Sequence, residues 1–237
     1  FTANKHWLRK FVTAYKEHGL ADEVPYSAFS RLDHIDDERA KLLAESNCCM
    51  LRVGVESAND RVRNQIYNKE LKMEAIRHGF ELCRKYGIGL MSFFILGGPT
   101  ETKQDVEETL ALAREMDATR SAFFIFKPFP KSEAARKLEE IGQKVDWTKS
   151  DNISFGAVTG TGELSSSQIE WYQRWAYVRI LSKRVKDLLK YDGLGYFTKM
   201  TSYMWNGMKD GLDPKYLMTY YHIYGANHVF ERFDKLL

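Results

Sequence analysis

An acidic residue at the end of an apolar, strand-like run is the first candidate in this chain for a chemical role. Glu56 lies at the end of such a run, in the segment Gly54-Val55-Glu56-Ser57. Its carboxylate can accept hydrogen bonds from the amine or hydroxyl groups of a ligand, and Gly54 leaves the backbone open to close approach. Position alone does not separate this interpretation from an ordinary one, in which Glu56 caps a helix or pairs with a nearby base.

A glycine-rich turn follows the next apolar run. Gly97, Gly98 and Pro99 expose backbone amides and carbonyls that could meet a flat ring or a carboxylate, and Glu101 could support the turn. The same residues are equally expected in a plain connection from a strand to a helix. No Gly-Lys-Ser/Thr follows the glycines, so the turn is not a P-loop.

Two further pairs of residues stand near strand ends. Lys127 and Pro128 follow the last apolar run, and Lys127 keeps open the Schiff-base lysine of an aldolase-like barrel. Arg31 and Asp33 follow the first run and could contact an anionic ligand. A pair formed between these two side chains is the favoured interpretation.

The other reactive residue types form no familiar catalytic pattern. The six His show neither HExxH nor HxH spacing, and no Gly-x-Ser-x-Gly elbow is present. Cys48 and Cys49 are adjacent and cannot easily ligate one metal ion together, so we predict buried thiols at the start of a strand. With Cys83 they make no disulfide framework, which favours a reducing, cytoplasmic compartment.

Short apolar runs alternate with amphipathic helical stretches as far as residue 129. This alternation predicts an α/β fold with a parallel sheet, in which chemistry gathers at the carboxyl ends of the strands. Gly87 is expected just past the end of one helix, and Thr102 with Asp105 is expected to cap the start of another. The predicted strands span 24–29, 50–55, 88–96 and 122–126, and the predicted helices span 36–46, 72–86 and a segment that begins at 102.

The composition is that of a globular protein of 237 residues, with 44% hydrophobic and 28% charged residues. No apolar run approaches the roughly 18 residues that a membrane helix needs. A net charge of +3 is small for a dedicated nucleic-acid binder. We therefore expect neither a membrane nor a nucleic acid as a partner.

The chain changes character after about Asp146, because four of its five Trp lie in the remaining part. We predict two domains, 1–145 and a helical, aromatic-rich region at 146–237. Ser167 with Glu170 is expected to open a helix that reaches about Lys190. Asp213-Pro214 is expected to open another helix.

Several of these segments together resemble the radical SAM superfamily, and most closely the branch whose members often carry a cobalamin-binding domain. The likeness covers about residues 1–140. It rests on motifs that occur in order at suitable spacing, namely 1–5 (FTANK), 29–36 (FSRLDHID), 52–60 (RVGVESAND), 95–102 (ILGGPTET) and the Pro-x-Pro loop at 128–130.

The resemblance implies the later strands of a partial (β/α)6, TIM-like barrel that binds S-adenosylmethionine (SAM). Glu56, with Ser57 beside it, matches the position that contacts the polar part of SAM. The segment 95–99, which includes Gly97, Gly98 and Pro99, matches a segment near the adenine, as does the backbone at Lys127 and Pro128. Arg31, with Asp33 near it, matches a position that faces the substrate cavity.

The chain also departs from the family pattern. Thr100 and Lys131 stand where the family often has Gly, so we expect the backbone to avoid positive φ at both positions. The Cys-x3-Cys-x2-Cys motif that holds a [4Fe–4S] cluster is nowhere in the sequence. We expect its three ligands, and any cobalamin domain, in a missing amino-terminal segment of the same enzyme, without which this chain would be inactive.

The resemblance implies an enzyme in which the cluster cleaves SAM to a 5′-deoxyadenosyl radical that abstracts hydrogen from a small-molecule or peptide substrate. Cobalamin-dependent methylation is the favoured outcome. One alternative is a cobalamin-independent enzyme such as a tRNA methylthiotransferase, which the basic helix at 174–190 would suit. Another is a degenerate barrel that serves as a non-catalytic partner subunit.

Overall fold

The structure is a computed structural model that describes residues 1–149 and 156–191 together with positions 205 and 209. Internal contacts divide the chain into two compact units, residues 1–174 and 175–237. The division that we predict at residue 146 stays a prediction. The helices are α1 (Lys5–Glu17), α2 (Leu20–Glu23), α3 (Asp37–Glu45), α4 (Met73–Lys85), α5 (Lys103–Met116), α6 (Glu133–Glu140) and α7 (Ser166–Tyr191).

Four strands form one parallel sheet in the order β1-β2-β3-β4. All four predicted strands and the helices between them are confirmed, although β1 and β3 begin one or two residues later than expected. Because all three pairings are parallel, every carboxyl end lies at the same edge. The strands β1 (Tyr26–Ser30), β2 (Cys48–Glu56), β3 (Gly89–Leu96) and β4 (Arg120–Ile125) thus form part of an α/β barrel of the parallel type.

The two faces of the sheet differ in what covers them. On one face Leu51, Val53 and Val55 of β2 are completely buried, and Phe94 stacks on Phe123 with ring centroids 5.1 Å apart. Alternate residues of the strands point to the opposite face, which we call the open face. Phe29 on that face is 63% exposed. The buried face is thus the hydrophobic core, and the open face is available for other contacts.

Capping residues explain why the two central helices begin and end where they do. Thr102 and Asp105 form the predicted capping box at the start of α5, each side chain accepting from the other's backbone N–H. Gly87 follows α4 with φ +70°, a conformation that glycine adopts at little cost. Both predictions are confirmed.

The predicted cap of α7 is wrong. The box is formed two residues earlier, because the amide of Gln168 donates to Ser165 Oγ and the amide of Ser165 donates to Gln168 Oε1. Glu170 instead accepts from the backbone amide of Ala157 at 3.1 Å. Spacing alone could not choose between two overlapping capping boxes in a serine-rich segment.

The short α2 and two longer helices, α1 and α6, were not expected from the sequence. Asn4 caps α1 by accepting from the amide of Trp7, and Ser132 caps α6 by accepting from the amide of Ala135. Both helices have a small polar residue before them, which is a local signal that was present in the sequence.

The beginning of α7 packs within the first unit, where Gln173 Nε2 donates to the backbone carbonyl of Phe123 at 2.7 Å. In the second unit, the Arg179 guanidinium lies over the Trp175 ring at 5.5 Å. The predicted helix at Asp213-Pro214 lies outside the described residues. Among the described residues, no helix has both the length and the apolar character needed to cross a membrane.

Candidate functional site

The carboxyl end of β2 carries an ion pair. Lys69 Nζ lies 2.7 Å from Glu56 Oε1, and the two side chains are 23% and 13% exposed. Glu56 has φ +66° and follows a register shift between Gly54 and Glu56, a β-bulge that re-aims the end of the strand. The structure therefore gives Glu56 a basic partner at a partly accessible position.

Gly54 provides the space that this ion pair occupies. A methyl group on its Cα would overlap Glu56 Oε1 and lie 2.6 Å from Lys69 Nζ. Both atoms are the ends of flexible side chains, so a larger residue at position 54 would displace the pair rather than block the fold. The glycine matters here because it has no side chain, and its φ is not in the left-handed region.

A completely buried arginine holds the loop that brings Lys69 to Glu56. Arg63 donates from Nε to the carbonyl of Leu71 at 2.6 Å, and from Nη1 to the carbonyls of Ser57 and Ala58, each at 3.0 Å. It belongs to a π-helical turn, Val62–Ile66. The loop is therefore tied to the end of β2 through backbone atoms, which fixes where Lys69 lies.

The Ser57 hydroxyl contacts helix α5. Ser57 is completely buried, and its Oγ lies 3.1 Å from Thr109 Oγ1 of α5. The predicted contact of Ser57 with SAM stays a prediction, and the contact that the structure shows joins β2 to a helix.

Arg31 and Asp33 form the pair that the sequence favours. Arg31 donates to the two carboxylate oxygens of Asp33 at 3.0 and 2.8 Å, which lowers the pKa of Asp33. The guanidinium also donates to the carbonyls of Lys69 and Glu70, at 2.9 and 3.2 Å. Arg31 thus links the end of β1 to the loop that supplies Lys69, and its role in a substrate cavity stays a prediction.

The turn after β3 is held from within by Glu101. Its buried carboxylate accepts from the backbone amide of Gly97 and, at 3.2 Å, from that of Gly98. Burial raises the pKa of Glu101 to about 8, although the two amides oppose the rise. Support of the turn by Glu101 is confirmed. Gly97 has φ +88°, and a Cβ there would lie 3.0 Å from Cγ2 of Ile169 in α7.

Tyr67 reaches this turn from the β2–α4 loop and was missed by the sequence analysis. Its hydroxyl is buried and has no hydrogen-bond partner among the described residues. The hydroxyl would lie 2.6 Å from a Cβ on Gly98, and the ring lies 5.8 Å from that of Phe126. Burial, and then the charges of Glu101 and Glu56, raise the pKa of Tyr67, and the nearby backbone of Gly98 opposes the rise. An unpaired buried hydroxyl beside two loops suggests a polar atom that a ligand could supply.

The expectation that Thr100 and Lys131 avoid positive φ is wrong. Their φ values are +62° and +63°, the conformation that glycine would adopt most easily. At Thr100 the surroundings impose it, because the amide donates to the carbonyl of Thr161 at 3.0 Å and the hydroxyl accepts from Arg61 at 2.9 Å. The loops keep their path although the glycines are absent.

The loop after β4 continues close to the sheet before it reaches the surface. The amide of Phe126 donates to the carbonyl of Leu96 at 2.7 Å, Lys127 is half-buried and Pro128 is buried. Phe129 is exposed. Contacts of Lys127 and Pro128 with adenine stay predictions, as does the Schiff-base alternative for Lys127.

The prediction that Cys48 and Cys49 are both buried is wrong for Cys49. Successive residues of β2 point to opposite faces, so Cys48 is buried and Cys49 is exposed. Burial raises the pKa of Cys48 and that of Cys83 to about 12. Within 1–149 and 156–191, no group of three or more His, Cys, Asp or Glu could hold a metal ion. These residues therefore do not fit an iron–sulfur cluster.

The fold and the site define a class of protein, an α/β domain of parallel-barrel type whose candidate site residues lie at the carboxyl edge of the sheet. Residues 4–113 match the family model described as the radical SAM superfamily. The match ends before β4, so the similarity to the radical SAM superfamily holds for residues 4–113.

Two curated relatives carry names of methyltransferases. An uncharacterized methyltransferase of Pyrococcus horikoshii is 26% identical over 81% of this chain and 42% of the relative. Cytidylyl-2-hydroxyethylphosphonate methyltransferase of Streptomyces wedmorensis is 28% identical over 54% of this chain and 25% of the relative. The chain thus spans less than half the length of each.

Two solved structures share the fold. Coproporphyrinogen III oxidase (HemN) of Escherichia coli, a radical SAM enzyme, has a TM-score of 0.54 at 19% identity, over 76% of this chain and 37% of that one. The radical SAM methyltransferase TsrM of Kitasatospora setae, with cobalamin and a [4Fe–4S] cluster bound, has a TM-score of 0.52 at 21% identity, over 63% and 29%. At these identities the likeness concerns the fold alone.

Proposed function

We propose that this chain is the SAM-binding part of a radical SAM methyltransferase, and that the whole protein depends on cobalamin. The methyltransferase names of the two curated relatives support methylation. TsrM, which shares the fold, has cobalamin bound, and we extend that cofactor to this protein by fold analogy alone. Bound SAM would supply an activated methyl group together with the adenosyl fragment from which this superfamily forms its radical.

The ion pair of Glu56 and Lys69 is the observation that carries the proposal. The amino-acid end of SAM bears an ammonium and a carboxylate, so it can exchange partners with an acidic and a basic side chain that already lie 2.7 Å apart. Glu56 would accept from the ammonium and Lys69 would donate to the carboxylate. Both side chains are partly exposed, which makes such an exchange accessible to a ligand.

The turn after β3 would bind a second part of SAM, the adenine. Glu101 fixes the amides of Gly97 and Gly98, and the buried Tyr67 hydroxyl faces that turn without a described partner. A flat ring with polar edges, such as adenine, could meet this backbone and offer Tyr67 a hydrogen bond. The assignment of Gly97, Gly98 and Pro99 to adenine is part of the proposal.

We place the ligands of the [4Fe–4S] cluster, and any cobalamin domain, outside these 237 residues. The sequence has no Cys-x3-Cys-x2-Cys, and the described Cys, His, Asp and Glu form no metal group. The amino-terminal part of the same enzyme is the proposed source of both, and this chain alone would then not complete the reaction.

The test is calorimetric titration of SAM into the full-length protein under anaerobic conditions. Glu56→Gln and Lys69→Gln should each weaken binding by about 2 kcal/mol, or roughly thirtyfold, the scale of a hydrogen bond to a charged group. Glu45→Gln is a matched control, because Glu45 pairs with Lys16 at 3.3 Å on the surface and ends α3, next to the amino end of β2 rather than its carboxyl end. An affinity unchanged by both site variants would reject the assignment.

The cobalamin-independent alternative has an observation of its own. The tRNA-2-methylthio-N(6)-dimethylallyladenosine synthase of Cronobacter sakazakii is 33% identical over 40% of this chain. Visible absorbance and mass spectrometry of the anaerobically purified full-length protein separate the two functions. Stoichiometric cobalamin supports the methyltransferase, whereas iron without cobalamin would favour the cobalamin-independent alternative.

A further inference from the structure

Three phenylalanines form a continuous apolar strip across the open face of the sheet. Phe29 of β1 stacks on Phe93 of β3 with ring centroids 6.2 Å apart, and Phe93 lies 5.8 Å from Phe124 of β4. Phe29 is 63% exposed, and the other two are half-buried. We call Phe29, Phe93 and Phe124 the aromatic strip. Large exposed rings in contact with one another are a recognised feature of ligand sites.

Two arginines border this strip in one cross-strand row. The register pairs Phe29 with Arg52, Arg52 with Met91, and Met91 with Arg120. The Arg52 guanidinium lies over the Phe29 ring at 5.5 Å, which places it on the open face. Two cations on either side of one methionine repel each other.

Arg52 also has an unsatisfied donor. Its Nε is buried and donates to no acceptor in the described part of the chain. A buried donor without a partner is costly, and the cost is greater for a charged group. Burial, followed by the charge of Arg52, lowers the pKa of Arg120, as expected where two guanidinium groups share a poorly solvated region.

We propose that the open face binds the substrate, and that the substrate is a planar aromatic compound with an anionic group. The ring would lie on the aromatic strip, and a carboxylate or phosphate would accept from Arg52. The proposal rests on the proposed function, because the open face is the interior of the barrel only if the chain belongs to a complete radical SAM enzyme. It names a substrate chemistry that the SAM site does not determine.

A pair of fluorescent probes tests the proposal in the full-length protein. Anilinonaphthalene sulfonate is a fused aromatic anion, and N-phenylnaphthylamine is its neutral analogue. Arg52→Met keeps the unbranched stem of the side chain and removes the charge. It should weaken binding of the sulfonate probe by about tenfold, whereas binding of the neutral probe should change by less than about twofold.

Phe29→Ser provides a second variant at an exposed position that is expected to fold. It should weaken both probes, because both use the aromatic strip. Failure of either probe to bind the wild type, or equal loss of both probes in Arg52→Met, would overturn the proposal. So would unchanged binding of both probes in Phe29→Ser.

Calorimetric titration of SAM into Arg52→Met distinguishes the proposed substrate site from the proposed SAM site. Unchanged SAM affinity together with loss of the sulfonate probe supports a substrate site distinct from the SAM site. Lost affinity for both would show that Arg52 belongs to the SAM site, which overturns the substrate assignment and leaves the role of Glu56 intact. Absence of SAM binding in the wild type would reject the proposed function whatever the probes show.

Discussion

The ends of β2 and β3 both combine glycine with glutamate, yet the two ends are built for different tasks. At the end of β2, Glu56 is partly exposed and its partner is the side chain of Lys69. At the end of β3, Glu101 is completely buried and its partners are backbone amides of its own turn. A ligand can replace a side-chain partner, whereas backbone amides cannot leave. The residue type is the same, and the environment determines which carboxylate a ligand can reach.

The glycines differ in the same way. Gly54 is required because its missing side chain leaves room for an ion pair, and Gly97 is required because its backbone has φ +88°. Substitution at the first position should disturb binding, and substitution at the second should disturb folding. This contrast can be tested at each end separately.

The largest expected effect is the loss of Glu101. Glu101→Ala leaves the amides of Gly97 and Gly98 buried without an acceptor, which should lower the free energy of unfolding by about 3 kcal/mol. Chemical denaturation of the full-length protein measures it. Glu56→Ala is the matched control and should cost less than about 1 kcal/mol, because its partner is partly exposed. Equal losses would remove the distinction between the two strand ends.

The next effect concerns Gly54. Gly54→Ala should displace the pair of Glu56 and Lys69 and weaken SAM binding by about tenfold, or ~1.4 kcal/mol, with little change in the denaturation midpoint. Gly97→Ala should, in contrast, lower the free energy of unfolding by about 1–2 kcal/mol, because the left-handed backbone at this position is costly for alanine. Strong destabilisation by Gly54→Ala would contradict the role assigned to that glycine.

The buried carboxylate also predicts a dependence on pH. In the folded protein Glu101 keeps its proton up to about pH 8, whereas in the unfolded chain it ionises near its ordinary pKa of 4.5. The folded state therefore binds more protons in that range, and this group's contribution to stability falls as pH rises from about 4.5 to 8. Glu101→Gln keeps an oxygen acceptor and removes the titration. Its melting temperature relative to wild type should rise across that window, and a constant difference would contradict the prediction.

The smallest effect lies at the positions without glycine. Lys131→Gly puts glycine at a left-handed backbone position that is strained for lysine. The substitution should stabilise the protein by about 0.5 kcal/mol, because relief of backbone strain slightly exceeds the entropic cost of glycine. Thr100→Gly should gain less, since it also loses the hydrogen bond from Arg61 to the threonine hydroxyl. Thermal unfolding of both variants measures the difference, and destabilisation by Lys131→Gly would show an unseen role for the lysine.

The sequence was most informative where a local structure depends on residues that are close together along the chain. Thr102 with Asp105 and Gly87 were predictable because a helix cap is formed within one turn. Lys69 and Tyr67 were not, because they reach the site through an irregular loop that Arg63 ties down by backbone contacts. The periodicity of apolar residues carries no information about such contacts. The exposure of Cys49 follows from strand alternation and could have been predicted.

Thr100 and Lys131 have a consequence for how distant members of this superfamily are found. Profiles that reward glycine at these two loop positions penalise this chain twice, although its backbone follows the path that glycine would take. At Thr100 the neighbouring residues enforce this conformation through hydrogen bonds to its amide and hydroxyl. Searches that score backbone dihedral angles would therefore recover chains that residue-based motifs exclude, and the hydroxyl at position 100 shows that such a replacement can add a contact glycine could never make.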